Sequence, residues 1–518
     1  MSEGAHAVVV VLGDTGRSPR MQYHAISLAA LPHINRVTLI GYPGEVCNEL
    51  IVSNPAIHDI RLTTSSAWID KLRPISLLHA AVKGVFLVLS LLFTLFRLPH
   101  IDMVVVQNPP AIPALLACLF MSYFNGMVVL LDWHNLGFSM YFDRYSSKHV
   151  LVRVSRILEG RLGVLSDRHI CVSDSMGKWL HKRFNVSATT LYDKPPAKVF
   201  KRFSVPQSDA DGVDLNLPQI DVKVRHELLL KLKLTDEELF PHSQSSSSSQ
   251  ITSSSERTIQ TVRLSENGND TVTMRDDRAV ILVTATSWSP DEDFGLLMKA
   301  LCNLDRSLVR RRSNGRSLTQ SKVVMVITGK GPMRDAFMQA WKARQENPAD
   351  RLVYVSIVSV WLEIADYPLM IACADLGICL HTSTSGLDLP MKVLDMFGCG
   401  VPVCAIHYPA LPELLKNGEN GIIYRQHNDL AAQLYRLFCE APNEAGASEE
   451  LCKMRKAAYR IGSWEDNWNA VMRPVVLECL DIHSSRRHKH QMRTWAVLFV
   501  VAAILVCIVS ILLAFVYR

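Results

Sequence analysis

Apolar positions in this chain gather into short unbroken runs separated by stretches of helical length. Ala7 to Leu12 (AVVVVL) is the first, and it ends in Gly13-Asp14-Thr15-Gly16. A continuous apolar run this short predicts a strand buried on both faces, as in parallel sheets. Met21 to Leu31 has helical spacing, and Arg36 to Gly41 (RVTLIG) predicts a second strand. Ile101 to Val106, Met127 to Leu131 and His169 to Val172 predict three more. After a polar interval the pattern resumes at Ala279 to Thr284 (AVILVT), Val323 to Thr328, Leu352 to Val355, Leu376 to Leu380 and Pro402 to Ala405. Strands alternating with helices predict an α/β protein whose ligands sit outside the carboxyl ends of the strands. The expected architecture is two Rossmann-like, doubly wound domains facing a cleft, where a ligand is usually held.

The polar interval sets the boundaries. A first domain is expected over 1–200, a linker or insertion over 201–277, a second domain over 278–462 and a closing helix over 463–485. Ser245 to Ser249 and Ser253 to Ser255 form a low-complexity tract, too polar to offset its ordering entropy by burial, and therefore expected to be disordered. Val82 to Phe96 and Ala111 to Leu131 are apolar enough to suggest membrane spans. The first is short, and the second is broken by Pro113, Asn125 and Gly126, so buried or membrane-touching helices are the better reading. Trp495 to Tyr517 differs from both: it is a run of 23 residues without a charge. Such a run spans a ~30 Å hydrocarbon core as a helix. Arg486, Arg487, Lys489 and Arg493 precede it and only Arg518 follows, so the preceding side is expected to be cytosolic. A C-terminal transmembrane tail anchor over 494–518 is the expectation, with no N-terminal signal peptide, since Ala7 to Leu12 is short and lacks a basic leader.

Composition changes this picture little. The chain has 518 residues, 48% apolar and 20% charged, which suits two folded domains plus extras. A net charge of +6 fits a nucleotide, a pyrophosphate or a membrane surface and gives no reason to expect a nucleic-acid partner. The 12 cysteines show no CxxC pair, which argues against zinc and against a disulfide framework.

Candidate chemistry lies where strands run into glycine-rich or hydroxyl-rich loops. Gly13, Gly16 and Arg17 follow the first strand, where close backbone approach and a helix start favour an anion. Gly329-Lys330-Gly331-Pro332 repeats the arrangement in the second domain, with Lys330 suited to a diphosphate. Neither is GxGxxG or GxxxxGK[ST], which disfavours a dinucleotide enzyme and a triphosphate hydrolase. After LGICLH come Thr382-Ser383-Thr384-Ser385-Gly386, small donors that suit a phosphate or sugar. Pro390 then begins a helix with Lys392 and Asp395 on one face. A carboxylate there suits the two hydroxyls of a ribose, although a surface ion pair is the commoner meaning of such spacing.

The series Pro390-x-Lys392-x-x-Asp395-Met396, then Gly398-x-Gly400-x-Pro402-Val403, resembles the donor-site signature of GT-B glycosyltransferases. Gln107-Asn108-Pro109-Pro110, Asp132-Trp133-His134-Asn135, Leu191 to Pro196, Thr286 to Phe294 and Ser385 to Lys392 widen the match. Together they resemble the β-mannosyltransferases of the dolichol-linked N-glycan pathway. The resemblance implies GDP-mannose as donor, dolichol-diphosphate-linked chitobiose as acceptor, and inversion to a β1,4 bond in the first mannosylation step. It also implies an enzyme at the cytosolic face of the endoplasmic reticulum membrane, in complex with other early mannosyltransferases. The first domain would then bind the acceptor and the second the donor. Two departures stand out. The expected anchor is C-terminal where familiar members carry it at the N-terminus, and the first acid of the E-x7-E pattern is replaced near Ser385.

Within that frame Gly329, Lys330, Ser383, Ser385, Gly386, Asp388, Lys392 and Asp395 are the expected donor-binding residues. Gly13, Gly16 and Arg17 are expected to bind acceptor or phosphate, and His134 and Asp132, at a strand's carboxyl end, to take the acceptor's proton. Asp291-Glu292-Asp293 looks like a DxD metal motif but is expected to shape the site or cap a helix, so no metal or cofactor is expected. The alternatives are a retaining GT-B transferase with another nucleotide sugar, or an inactive GT-B subunit of a membrane complex.

Overall fold

In the computed structural model the described residues are 4–64, 69, 76–142, 146–200, 220–241, 255–266, 269–315, 322–440 and 448–490. They form two units, the first from 1–192 with 465–518 and the second from Asp193–Trp464.

The first unit is built on a seven-stranded sheet in the order β3-β2-β1-β4-β5-β6-β7, with every pairing parallel. Its strands are β1 (Ala5–Asp14), β2 (Ile34–Tyr42), β3 (Ile57–Arg61), β4 (Met103–Asn108), β5 (Val128–Trp133), β6 (Arg168–Cys171) and β7 (Thr189–Thr190). Val8, Val9 and Val10 of β1 and Val104, Val105 and Val106 of β4 are wholly buried, as a strand covered on both faces requires. Strand order reverses between β1 and β4, so the loops after these two strands open where doubly wound sheets hold ligands. The apolar stretches resolve as helices Ser76–Arg97 and Ala111–Asn125, the second ending at Gly126 with φ 75° before β5. Among the described residues no helix is long and apolar enough to cross a membrane. The expected anchor at 494–518 lies outside the described residues.

The second unit has a six-stranded parallel sheet in the order β13-β12-β11-β14-β15-β16. Its strands are β11 (Val280–Ala285), β12 (Val323–Thr328), β13 (Val355–Val360), β14 (Leu376–Cys379), β15 (Val403–Ile406) and β16 (Gly421–Tyr424). Here the order reverses between β11 and β14. The segment read as a linker is partly structured. Ile220, Leu228, Leu229, Leu234, Phe240 and Ile259 join the core beneath this sheet, and β8 (Ser255–Arg257), β9 (Thr261–Glu266) and β10 (Asn269–Met274) form a small antiparallel sheet. The serine tract, apart from Ser255, lies outside the described residues. All 11 cysteines among the described residues are free thiols. Helix Trp464–His490 ends the described chain.

Candidate active site

In the first unit the buried carboxylate of Asp132, at the end of β5, organises the polar groups. Arg20, from helix Pro19–Ala29, grips it with Nε at 2.8 Å and Nη2 at 3.0 Å. His24 Nε2 lies 3.1 Å and His134 Nε2 2.9 Å from Oδ2. Burial alone would push the Asp132 carboxyl up, but Arg20, His134 and His24 together hold it well below the usual carboxylate range. The ring of His24 is fixed from its other side by Trp468 Nε1, 3.1 Å from Nδ1. An indole N–H only donates, so Nδ1 accepts and Nε2–H donates to Asp132. Burial lowers the His24 pKa against the pull of Asp132, in keeping with a neutral ring.

These contacts alter one expectation. Asp132 is saturated by cationic and donor groups and is a poor base. It suits instead the role of orienting His134, whose side chain is 21% exposed and whose Nε2–H it accepts, leaving Nδ1 to take a proton. A further buried acid, unforeseen from the sequence, lies beyond β5. Glu159 accepts from Asn108 Nδ2 at 2.6 Å and from the amides of Gly137 at 2.8 Å and Phe138 at 3.2 Å, and burial raises its pKa.

The Gly13–Arg17 loop is closed on itself. Asp14 Oδ1 accepts from the Gly16 amide at 2.9 Å, and Arg17 Nη2 reaches Glu45 at 2.9 Å in the open. A Cβ on Gly16 would meet the Glu45 carbonyl oxygen at 2.3 Å, whereas one on Gly13 would touch only Val11 at 3.8 Å. Gly16 therefore serves packing against the neighbouring loop, and its amide is already committed to Asp14 rather than offered to a phosphate.

In the second unit three loops meet at the switch point, those after β11, β12 and β14. Gly329, with φ 128°, and Gly331 let the β12 loop press against the β11 loop. A Cβ on either would fall 1.8 Å from the carbonyl oxygens of Thr286 and Ser287 respectively. Trp288 is buried between them, stacked on Phe294 at 4.4 Å and donating Nε1–H to the Gly329 carbonyl at 3.2 Å. Lys330 stands exposed with Nζ 3.7 Å over the Trp361 ring.

The DxD-like residues are each engaged. Asp293 caps helix Phe294–Ser313 through the Leu296 amide. Glu292 is buried and holds Lys392 Nζ at 2.6 Å and the Thr286 hydroxyl. Asp291 accepts from His381 Nδ1 at 2.7 Å. On its other side His381 Nε2 faces Asp388 at 3.8 Å. Burial would lower the His381 pKa, yet Asp291 and Asp388 raise it to about 9, so the ring is cationic at neutral pH. The His381 hydrogen bond holds Asp291 well below its ordinary range.

The hydroxyl cluster turns inward. Ser383 and Ser385 donate to Asp388, and their oxygens accept from the amides of Gly386 at 2.8 Å and Leu387 at 3.2 Å. The Gly386 amide, within the stretch expected to hold a phosphate or sugar, is thus occupied by the loop's own side chain. Helix Met391–Gly398 presents Lys392 and Asp395, but the two do not pair. Lys392 goes to Glu292, and Asp395 Oδ2 accepts from the Tyr367 hydroxyl at 2.9 Å. Burial pushes the Asp395 pKa up to about 7 despite Tyr367 and Lys392.

Residues 281–440, which hold all the donor-side residues, match the family model for glycosyl transferases group 1. Chitobiosyldiphosphodolichol β-mannosyltransferase of Mus musculus is 37% identical over 473 residues, covering 91% of this chain and 89% of that protein. The Homo sapiens enzyme of the same name is 34% identical, covering 91% and 93%. The chain belongs to the chitobiosyldiphosphodolichol β-mannosyltransferase family.

As a member of that family it is a hexosyltransferase. A protein named UDP-glycosyltransferase TURAN, from Arabidopsis thaliana, is also similar, at 33% identity over 92% of this chain and 98% of that one. Among solved structures, Anabaena HepE in complex with UDP and glucose is similar at TM-score 0.56 and 13% identity, covering 92% of this chain and 100% of that one. Sucrose-phosphate synthase from Thermosynechococcus elongatus is similar at TM-score 0.55 and 13% identity, with coverage of 92% and 99%. These likenesses establish the GT-B fold with two parallel-sheet, Rossmann-like domains.

Proposed function

We propose that this protein transfers mannose from GDP-mannose to GlcNAc2-diphosphodolichol, forming a β1,4 bond with inversion, at the cytosolic face of the endoplasmic reticulum. Family membership over nine-tenths of the chain carries the reading. The second unit supports it chemically. Asp395 Oδ1 suits a ribose hydroxyl, while Lys330 and Lys392 supply positive charge for the diphosphate. In the first unit His134 Nδ1 takes the proton of the acceptor hydroxyl as its oxygen bonds to C1 of mannose, the C1–phosphate bond breaks and GDP leaves. Asp132 keeps the ring oriented and stabilises the imidazolium that forms. No divalent metal enters this scheme, the 494–518 tail anchors the chain in the membrane, and other early mannosyltransferases are its partners there.

The test is a transfer assay with GDP-mannose and a lipid-linked chitobiose, the linkage of the product being determined. A β1,4-mannosyl product, formed equally well in the presence of a chelator, is expected. The similarity to a protein named as a UDP-glycosyltransferase favours one second reading, a UDP-sugar donor. Transfer from a UDP-sugar but not from GDP-mannose would establish that reading, and an α-linked product would overturn inversion.

A further inference from the structure

We infer that the outer face of helices Ser76–Arg97, Ala111–Asn125 and Val150–Gly163 in the first unit lies on an anionic lipid bilayer. The three helices pack side by side, the first on the second and the second on the third. On the first, Leu87, Leu91 and Leu95 are buried, while Val85, Leu89, Phe93 and Phe96 form an exposed stripe at helical spacing. Leu116 and Tyr123 on the second and Val154 and Ile157 on the third continue it. An exposed apolar face of this extent marks an interaction site.

Charge identifies the occupant. Across the three helices the only acidic residue is Glu159, and it is buried. Arg97, Arg153, Arg156 and Arg161 are exposed, with Arg153 and Arg156 set among the exposed Val154 and Ile157. Arginines among apolar residues, with no exposed acid beside them, suit the headgroup boundary of an anionic leaflet, where their stems lie on lipid and their heads reach phosphate. The chain's own course agrees. Towards its end, helix Trp464–His490 passes the C-terminal ends of the second and third helices, with His483 Nδ1 3.1 Å from the carbonyl of Gly126 and Arg486 Nη1 3.0 Å from Asp167 Oδ2. The apolar tail begins at Trp495, within a few residues of that end. A bilayer entered by the tail is thus reached next to this face. The inference rests on the membrane-anchored reading above.

Photoreactive benzoylphenylalanine, placed singly at Phe93, Ile157, Leu505 and Gln339, separates the two in the full chain. The probe is vesicles of phosphatidylcholine with about a third phosphatidylserine. Lipid adducts are expected at Phe93, Ile157 and Leu505 and not at the exposed Gln339 of the second unit. Adducts at Leu505 without any at Phe93 or Ile157 would overturn the surface but leave the anchor standing; none at Leu505 would remove the anchor itself. Protein adducts at Phe93 would make this a subunit interface and overturn the proposal. Joint replacement R153E and R156E is expected to lower transfer to a long-chain lipid acceptor in those vesicles by at least about tenfold. Transfer to a short-chain acceptor in solution should stay unchanged; an equal loss in both assays, or a loss in neither, would overturn the bilayer assignment.

Discussion

At the residue scale, His134 and Asp132 are separated by what surrounds them. Both stand at the end of β5, but only Asp132 is gripped by Arg20 and His24 as well. Replacing His134 with Ala is expected to lower kcat by about 10²–10⁴-fold. GDP affinity should be unaffected, as equilibrium binding will check; near-normal turnover would remove His134 from the chemistry. Asp395 makes a pH prediction. Its pKa of about 7 means that a neutral carboxyl greets the donor in mild acid and a carboxylate above. Affinity for GDP should therefore rise with pH up to about 7 and level off beyond, by at most about tenfold per unit. Asp395→Asn should bind weakly with no such slope, as titration calorimetry across the range will show. The same shift costs stability as pH rises. The folded state retains its proton between the ordinary aspartate range and about 7, while the unfolded chain releases it.

At the scale of elements, helix Met391–Gly398 is tied to the β11 loop by the ion pair of half-buried Lys392 with buried Glu292. Lys392→Met would leave buried Glu292 without its ion-pair partner, and should cost about 2 kcal/mol in chemical denaturation. Adding Glu292→Gln should recover part of that loss, since an amide still reaches Thr286; a double variant as unstable as the single one would contradict the pairing. The loop after β14 is likewise clamped by His381 between Asp291 and Asp388. Here the folded pKa is raised from 6.5 to about 9, so the clamp's stabilisation is complete below the ordinary histidine value and fades as pH passes about 9. The melting temperature of the native protein should exceed that of His381→Asn by a margin that narrows between about pH 7 and about pH 9.5. A constant margin would mean that His381 is uncharged.

At the scale of the whole molecule, the anchor proposed for 494–518 makes its own prediction. The full chain is expected to resist extraction from microsomes by alkaline carbonate, and a chain ending at His490 to be released. An Asn-x-Thr acceptor site appended after Arg518 should become glycosylated if the tail's end is lumenal. Release of the full chain by carbonate would count against a spanning helix.

Hydrophobic pattern alone determined the class of this protein. Runs such as AVVVVL and AVILVT have one stable home, a parallel sheet covered on both faces, and their alternation with helices leaves little choice of architecture. Strands without a continuous apolar run escaped that pattern: β7 is only Thr189–Thr190, and β3 reads IHDIR, with polar residues throughout. The motifs around Lys392 and Asp395 were legible because spacing on a helix is local. What those side chains touch was not, because their partners are distant in sequence. Lys392 meets Glu292 a hundred residues away, and Arg20 meets Asp132 across 112 residues. Only the fold brings such groups together, and so only the tertiary structure decided which carboxylate is saturated, which histidine is charged, and which loop amides are already spent.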